Sequence, residues 1–221
     1  MDTSALSLFE QLHRALPQTQ CQRCGYADCA AYAQAMANEE APINRCPPGG
    51  AEGVARLARL TGQPEQPLDA ECGQEGPRTV AWIDEDWCIG CTLCLQVCPT
   101  DAIVGANKAM HTVIEDECTG CELCIPVCPV DCIRLDNVTG SRTGWQAWSP
   151  AQADHALARY GQHQARKTRH AQHQAATRVA KARHHLDHLD STTQPAPAGE
   201  LDKRKALIAA ALAKARAQRQ A

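Results

Sequence analysis

Large aromatic side chains are scarce in this sequence: one Phe, three Tyr and four Trp among 221 residues. Such side chains normally supply much of the buried area of a core, so something besides side-chain packing must help hold the chain together. Long apolar runs are missing too. The longest, Ala206–Ala213, has eight residues, whereas a membrane-spanning helix needs about 20, and no transmembrane helix is expected. The start, Met1-Asp2-Thr3-Ser4, offers no basic stretch followed by apolar residues. The chain is therefore expected to stay in the reducing cytosol, where disulfides are rare. There is also no glycine-rich nucleotide loop and no grouping of nucleophile, base and orienting residue, so an independent catalytic site is not expected.

Cysteine, by contrast, is abundant, with fourteen in the chain. In a reducing compartment that number argues for metal binding over disulfides. Charge is unevenly spread: residues 1–149 carry 9 Lys/Arg and 20 Asp/Glu, a net -11, and residues 150–221 carry 13 and 5, a net +8. The chain reads as an acidic body with a basic tail.

Leu8, Leu12 and Leu16 recur at helical spacing behind a capping box of Ser7 and Glu10, and Pro17 ends the pattern. An Ala-rich helix is expected over Cys29 to Glu40, and a third from about Ala51 to Leu60, after the turn residues Pro47-Pro48-Gly49-Gly50. Residues 86–105 and 116–135 repeat each other at an offset of 30, identical at eleven of twenty positions. Val80-Ala81-Trp82-Ile83 and His111-Thr112-Val113-Ile114 precede the repeats and suit short strands. These patterns predict an α+β protein with four parts. Residues 1–62 form a small helical four-Cys domain, 63–79 a linker, 80–137 a compact domain of approximate twofold symmetry, and 138–221 a basic tail rich in Ala, Gln and His, helical or partly disordered. Trp145 and Trp148 are expected to pin the start of the tail to the body.

The duplicated region carries Cys88-x2-Cys91-x2-Cys94-x3-Cys98-Pro99 and Cys118-x2-Cys121-x2-Cys124-x3-Cys128-Pro129. This is the ferredoxin spacing: three cysteines wrap one cubane cluster, and the fourth reaches the other cluster. Cys88, Cys91, Cys94 and Cys128 are accordingly assigned to one [4Fe-4S] cluster, and Cys98, Cys118, Cys121 and Cys124 to another. Gly90 and Gly120 let the backbone approach each cluster. Structural zinc motifs come as separated C-x2-C pairs, unlike four cysteines within eleven residues. Upstream, Cys21-x2-Cys24-x4-Cys29 with Cys46 also provides four ligands, and there the spacing admits zinc as well as a cluster.

The segments Gln18-Thr19-Gln20-Cys21-Gln22-Arg23-Cys24-Gly25-Tyr26 and Ile43-Asn44-Arg45-Cys46-Pro47-Pro48-Gly49-Gly50 resemble the Fe–S domain of the B subunit of the Rnf (Rsx) electron-transport complexes. Ala81-Trp82-Ile83-Asp84-Glu85, Met110-His111-Thr112-Val113-Ile114 and Cys128-Pro129-Val130-Asp131-Cys132-Ile133 are similar to that family too, so the likeness runs from about residue 8 to 136. The resemblance implies that Cys21, Cys24, Cys29 and Cys46 bind a [4Fe-4S] cluster, making three in all. It also implies a subunit that passes electrons within a membrane complex coupling ferredoxin and NAD redox chemistry to ion transport. Members of the family typically begin with a membrane-anchoring helix, which is not read in this sequence.

The expected role is one-electron transfer, with redox proteins, including other subunits of such a complex, as partners. The acidic body should favour basic surfaces on those partners. The expected location is cytoplasmic, at most peripheral on the cytoplasmic face of the inner membrane. Alternatives are a soluble ferredoxin-type carrier outside such a complex, or a redox-sensing protein whose tail, around Arg159 to Arg183 and Lys203 to Arg219, contacts nucleic acid. In a further reading Leu201, Ile208, Leu212 and Ala215 form the apolar face of a basic helix that docks to a membrane or a partner helix. Two cysteines are left over. Cys132 aligns with Ala102 and reads as a small buried residue, and Cys72 as an incidental thiol.

Overall fold

The structure, a computed structural model, describes residues 6–188 and 199–217. The chain divides into two units, Met1–His163 and Gln164–Ala221. In the first, helix α1 (Leu8–Arg14) opens on a closed capping box: Ser7 Oγ accepts from the Glu10 N–H, and the Glu10 carboxylate accepts from the Ser7 N–H at 2.8 Å. Asp28 caps α2 (Cys29–Ala37) by accepting from the Ala31 N–H at 2.7 Å. Helix α3 (Gly50–Thr61) stops at Gly62, where a φ of 72° turns the chain out of the helix. The three helices bury Leu12, Leu16, Tyr32, Met36, Ile43, Val54 and Leu57 in one core.

Residues 63–79 are tied to this core along their length. Asn44 donates to the Pro67 carbonyl at 2.7 Å, Arg45 pairs with Asp69 at 3.3 Å, and a 3₁₀ turn over Ala70–Cys72 buries Cys72.

The duplicated region follows. Strand β1 (Thr79–Ile83) pairs antiparallel with β4 (Ile133–Asn137), from Thr79↔Asn137 to Ile83↔Ile133, and β2 (Ile103–Gly105) pairs with β3 (His111–Val113). Each ribbon joins the strand before one repeat to the strand that ends the other. The repeats therefore interlock, with a short helix α4 (Leu93–Val97) in the first. Around the ribbons lies a second core of Val80, Ile83, Ile103, Ile133 and several cysteines.

Beyond β4 the chain returns to the helical part. Trp145 and Trp148 are buried, with the Arg56 guanidinium 3.9 Å over the first and that of Arg78 4.8 Å over the second. Helix α5 (Pro150–Asp187) then begins, and its opening turns pack within the first unit. Tyr160 donates to Asp28 at 2.9 Å, Arg159 pairs with Glu117 at 2.8 Å, and His163, buried, meets Asp101 at 2.8 Å.

The second unit contains the rest of α5 and α6 (Glu200–Ala217). On α6, Leu207 is exposed and Ile208 half-buried, while the side chains of Leu201, Leu212 and Ala215 lie outside the described residues. Among the described residues no helix is long and apolar enough to cross a membrane. Helices beside two small antiparallel ribbons make this an α+β fold.

Candidate iron–sulfur centres

All fourteen cysteines are free thiols. Cys21, Cys24, Cys29 and Cys46 line one hollow together with Leu16, Tyr32 and Pro47. Cys98, Cys118, Cys121 and Cys124 line a second, and Cys88, Cys91, Cys94 and Cys128 a third. The fourth cysteine of each repeat thus stands in the hollow of the other repeat's first three. Among the described residues no three His, Cys, Asp or Glu side chains close on one point as a single ion requires. Each set of four instead borders a space, which is the arrangement a group with several irons needs.

Local backbone geometry explains how thiols three residues apart can face one centre. Gly90 and Thr92 take φ of 67° and 65°, and their counterparts Gly120 and Glu122 both take 65°. Left-handed residues curl the loop tightly. A Cβ on Gly90 would strike the backbone of Ala109, and one on Gly120 the Thr79 carbonyl, so both loops lie pressed against a neighbouring segment and neither has room for a side chain.

In the first hollow, left-handed residues alternate: Gln18, Gln20 and Gln22 have φ of 60°, 55° and 61°. Buried amides hold Gln18 and Gln20 there. The Gln20 side chain accepts from the Cys29 N–H at 2.9 Å and donates to Gln18 Oε1 at 3.0 Å, and Gln18 donates to the His13 carbonyl. A positive φ at every second residue curls this loop tightly.

Backbone N–H groups also point at the sulfurs: Ala102 at Cys98 (3.2 Å), Ala81 at Cys118 (3.4 Å) and Cys132 at Cys128 (3.4 Å). Such donors stabilise negative charge on a metal-bound thiolate. Without a metal, burial dominates and pushes the thiols up: Cys94 to about 11, Cys121 and Cys124 to about 12, and Cys29 and Cys46 well above the ordinary value. Cys128 departs from this pattern. Burial raises it, but the N–H groups of Cys132, Val130 and Asp131 and the Cys132 thiol outweigh that and hold it low. Thiol donor sets, pre-aimed N–H groups and apolar walls together fit anionic iron–sulfur groups.

The remaining cysteines are both buried. Cys132 sits 3.5 Å from Cys128 Sγ, and Cys72 lies 3.7 Å from Asp69. Sequence reading passed over His111, fully buried with Nδ1 3.4 Å from Cys94 Sγ. The repeat offset of 30 places it opposite Ala81, and that departure from the repeat was the available signal.

Two family matches fall on these regions: residues 81–135 match "4Fe-4S dicluster domain" and residues 16–48 match "Putative Fe-S cluster". Among curated proteins, the chain is 60% identical over 139 residues to the B subunit of the ion-translocating oxidoreductase complex of Azoarcus sp. (strain BH72), covering 63% of this chain and 76% of that protein. The chain belongs to this B-subunit family. Its relative from Erwinia tasmaniensis, also a B subunit, is 54% identical over 139 residues, 63% of this chain and 73% of that protein. The B subunit of Thiobacillus denitrificans is 57% identical over 107 residues, 48% and 57% of the two chains. No solved structure matches the chain. Within the B-subunit family, this chain is an iron–sulfur electron-transfer protein whose cofactors are of the [4Fe-4S] type.

Proposed function

We propose that the chain carries three [4Fe-4S] clusters and works as the electron-relaying B component of an ion-translocating oxidoreductase complex. Residues 1–62 hold the first cluster through Cys21, Cys24, Cys29 and Cys46. Residues 80–137 hold the second through Cys88, Cys91, Cys94 and Cys128, and the third through Cys98, Cys118, Cys121 and Cys124. Residues 63–79 connect these parts and 138–221 form the basic tail. The observation that carries this reading is the presence of three separate hollows, each lined by one set of four thiols, with Cys132 as a fifth in the hollow of Cys88, Cys91, Cys94 and Cys128. When bound, the clusters supply one-electron acceptors and donors, with no bond made or broken in a substrate.

The protein's own residues set the conditions. Thr119 Oγ1 donates to the Thr19 carbonyl at 3.0 Å, and Arg23 pairs with Glu122 at 2.5 Å. These two contacts join the loop of the first hollow to the loop of the third cluster's hollow and fix their separation. Ile83, Val130 and Ile133 in one hollow, and Ala81, Ile103 and Val113 in another, give the sulfurs apolar walls. The partners are the other subunits of the complex and redox proteins that deliver or collect electrons. Ion translocation places the complex at a membrane, which this chain meets peripherally on the cytoplasmic face.

Anaerobic purification with iron and sulfide analysis tests the count. About twelve of each per chain are expected, three cages of four, with three reducible signals by low-temperature EPR. Cys46→Ser should remove one signal and leave two. Stoichiometric zinc, or no acid-labile sulfide, would end the reading.

A further inference from the structure

The two repeats share their ligands but not their outer faces. Around the hollow of Cys98, Cys118, Cys121 and Cys124 the outward positions are taken. Glu117 pairs with His155 and Arg159 at 2.8 Å each, Thr119 donates to Thr19, Glu122 pairs with Arg23, and Asp101 meets His163. The offset of 30 gives the equivalent positions around the other hollow: Trp87, Ile89, Thr92 and Asp131. None of the four is buried. Trp87 is 68% exposed and Ile89 58%, and buried Val80 is matched by Met110, which is 59% exposed.

Trp87 and Ile89 belong to one exposed stretch, and the loop of Met110 lies next to it. The Lys108 N–H donates to the Gly90 carbonyl at 3.0 Å, which sets the Met110 loop beside Ile89. Ile89 and His111 border the same hollow as Cys88, Cys91 and Cys94. One copy of the duplicated face is thus covered from within the chain, by α5 and the Gln18–Arg23 loop. Its mate has Trp87 and Ile89 in place of Glu117 and Thr119 and leaves both in solvent. Clustered apolar and aromatic side chains on a surface mark a place of interaction.

We infer that Trp87, Ile89 and Met110 are the docking face for an electron-transfer protein whose contact surface is apolar at the centre and basic at the rim. Charge selects that occupant. Glu85 and Asp86 are exposed beside Trp87, Lys108 is the one basic residue on the 106–110 loop, and the body is net acidic. A second copy meeting this face about a twofold axis would set acidic rim against acidic rim. The inference rests on the assignment of a cluster to Cys88, Cys91, Cys94 and Cys128, since docking here brings a partner to the half-exposed thiols Cys88 and Cys91.

The test uses the full chain with its clusters and a double variant, Trp87→Glu with Met110→Thr, which takes two large apolar groups off this face without altering a residue that borders the hollow. Cytochrome c, whose haem edge is rimmed by lysines, serves as the probe. Its affinity is measured by titration calorimetry and its reduction by the pre-reduced chain in stopped flow. The double variant should bind about tenfold more weakly or worse and transfer electrons correspondingly slowly, with iron, sulfide and EPR signals unchanged. Trp87→Glu alone repeats the measurement should the double variant lose its clusters. Wild-type affinity and rate in variants with intact clusters would overturn the inference. So would a wild-type dimer that the variant dissociates, because the occupant would then be a second copy. Failure of the cluster assignment itself would show separately, as iron and sulfide missing from the wild-type chain.

Discussion

Helices α1 to α3 bury Leu12, Leu16, Tyr32, Met36, Ile43 and Leu57 to 1% exposure or less, and α1 and α2 are capped by their own side chains. In the duplicated half, five of the eleven residues in the buried cluster are cysteines, Cys94, Cys98, Cys118, Cys124 and Cys132, and the others are only Val, Ile and Ala. The first half has a core of ordinary kind beside its thiols. The second has its thiols where a core would be, so what fills those hollows is structural as well as functional. Where folding creates a metal site that the unfolded chain lacks, the binding free energy becomes folding free energy.

Removing the clusters with a chelator under anaerobic conditions should have the largest effect. By hydrogen exchange and mass spectrometry, residues 80–137 should lose protection while the α1 and α3 segments around Leu12 and Leu57 keep theirs; equal protection in both halves would erase the contrast between them. Refilling the emptied chain should run slower at about pH 6 than at about pH 8. Cysteines released from the fold stay mostly protonated below about 8.5, and each thiol must lose its proton to bind iron. A reconstitution rate indifferent to pH would show that the thiols are already ionised.

Mutations sharpen the same contrast at smaller scale. Leu57→Ala leaves a hole in the helical core and should cost about 2–5 kcal/mol, read as a shift in the urea midpoint, with the EPR signals of the duplicated half intact. Thr119→Val strands the buried Thr19 carbonyl and should cost about 1–3 kcal/mol, again with full cluster content; loss of clusters would mean the loop needs that bond for its own shape. Ser7→Ala opens the capping box of α1 and should cost about 1 kcal/mol, by thermal melting of the loaded protein.

Much of this was legible in the residues alone. The cysteine spacing anticipates which thiols share a hollow because cluster loops are short and locally determined, and the Ser7 to Glu10 box and the turn after Cys46 mark helix ends through contacts a few residues apart. What local pattern could not show were single polar contacts between distant residues. Tyr160 with Asp28, Arg159 with Glu117 and Thr119 with Thr19 link positions up to 132 residues apart, and none belongs to a periodic stripe. For the same reason residues 63–79 looked like a spacer, although Asp69 and Cys72 are drawn down by Arg45 and its surroundings. Gln18 and Gln20 were hidden differently: glutamine is neither a common left-handed residue nor a common buried one, and a chain of amide bonds from the His13 carbonyl through Gln18 and Gln20 to the Cys29 N–H makes both tolerable.

Strands β1 and β4 bring the first and last residues of the duplicated half side by side, and the Val138 N–H bonds back to the Arg78 carbonyl at 3.1 Å. Glu75 fastens the seam by accepting from the Ala51 N–H at 2.8 Å and the Thr143 hydroxyl at 2.6 Å. Chain thus leaves and rejoins the helical half at one clasp, with the whole duplicated cassette hung between. Such a cassette can be exchanged for another of different redox character without rebuilding its host, provided the newcomer offers the same two ends, a surface for α5 to grip and partners for Thr19 and Arg23.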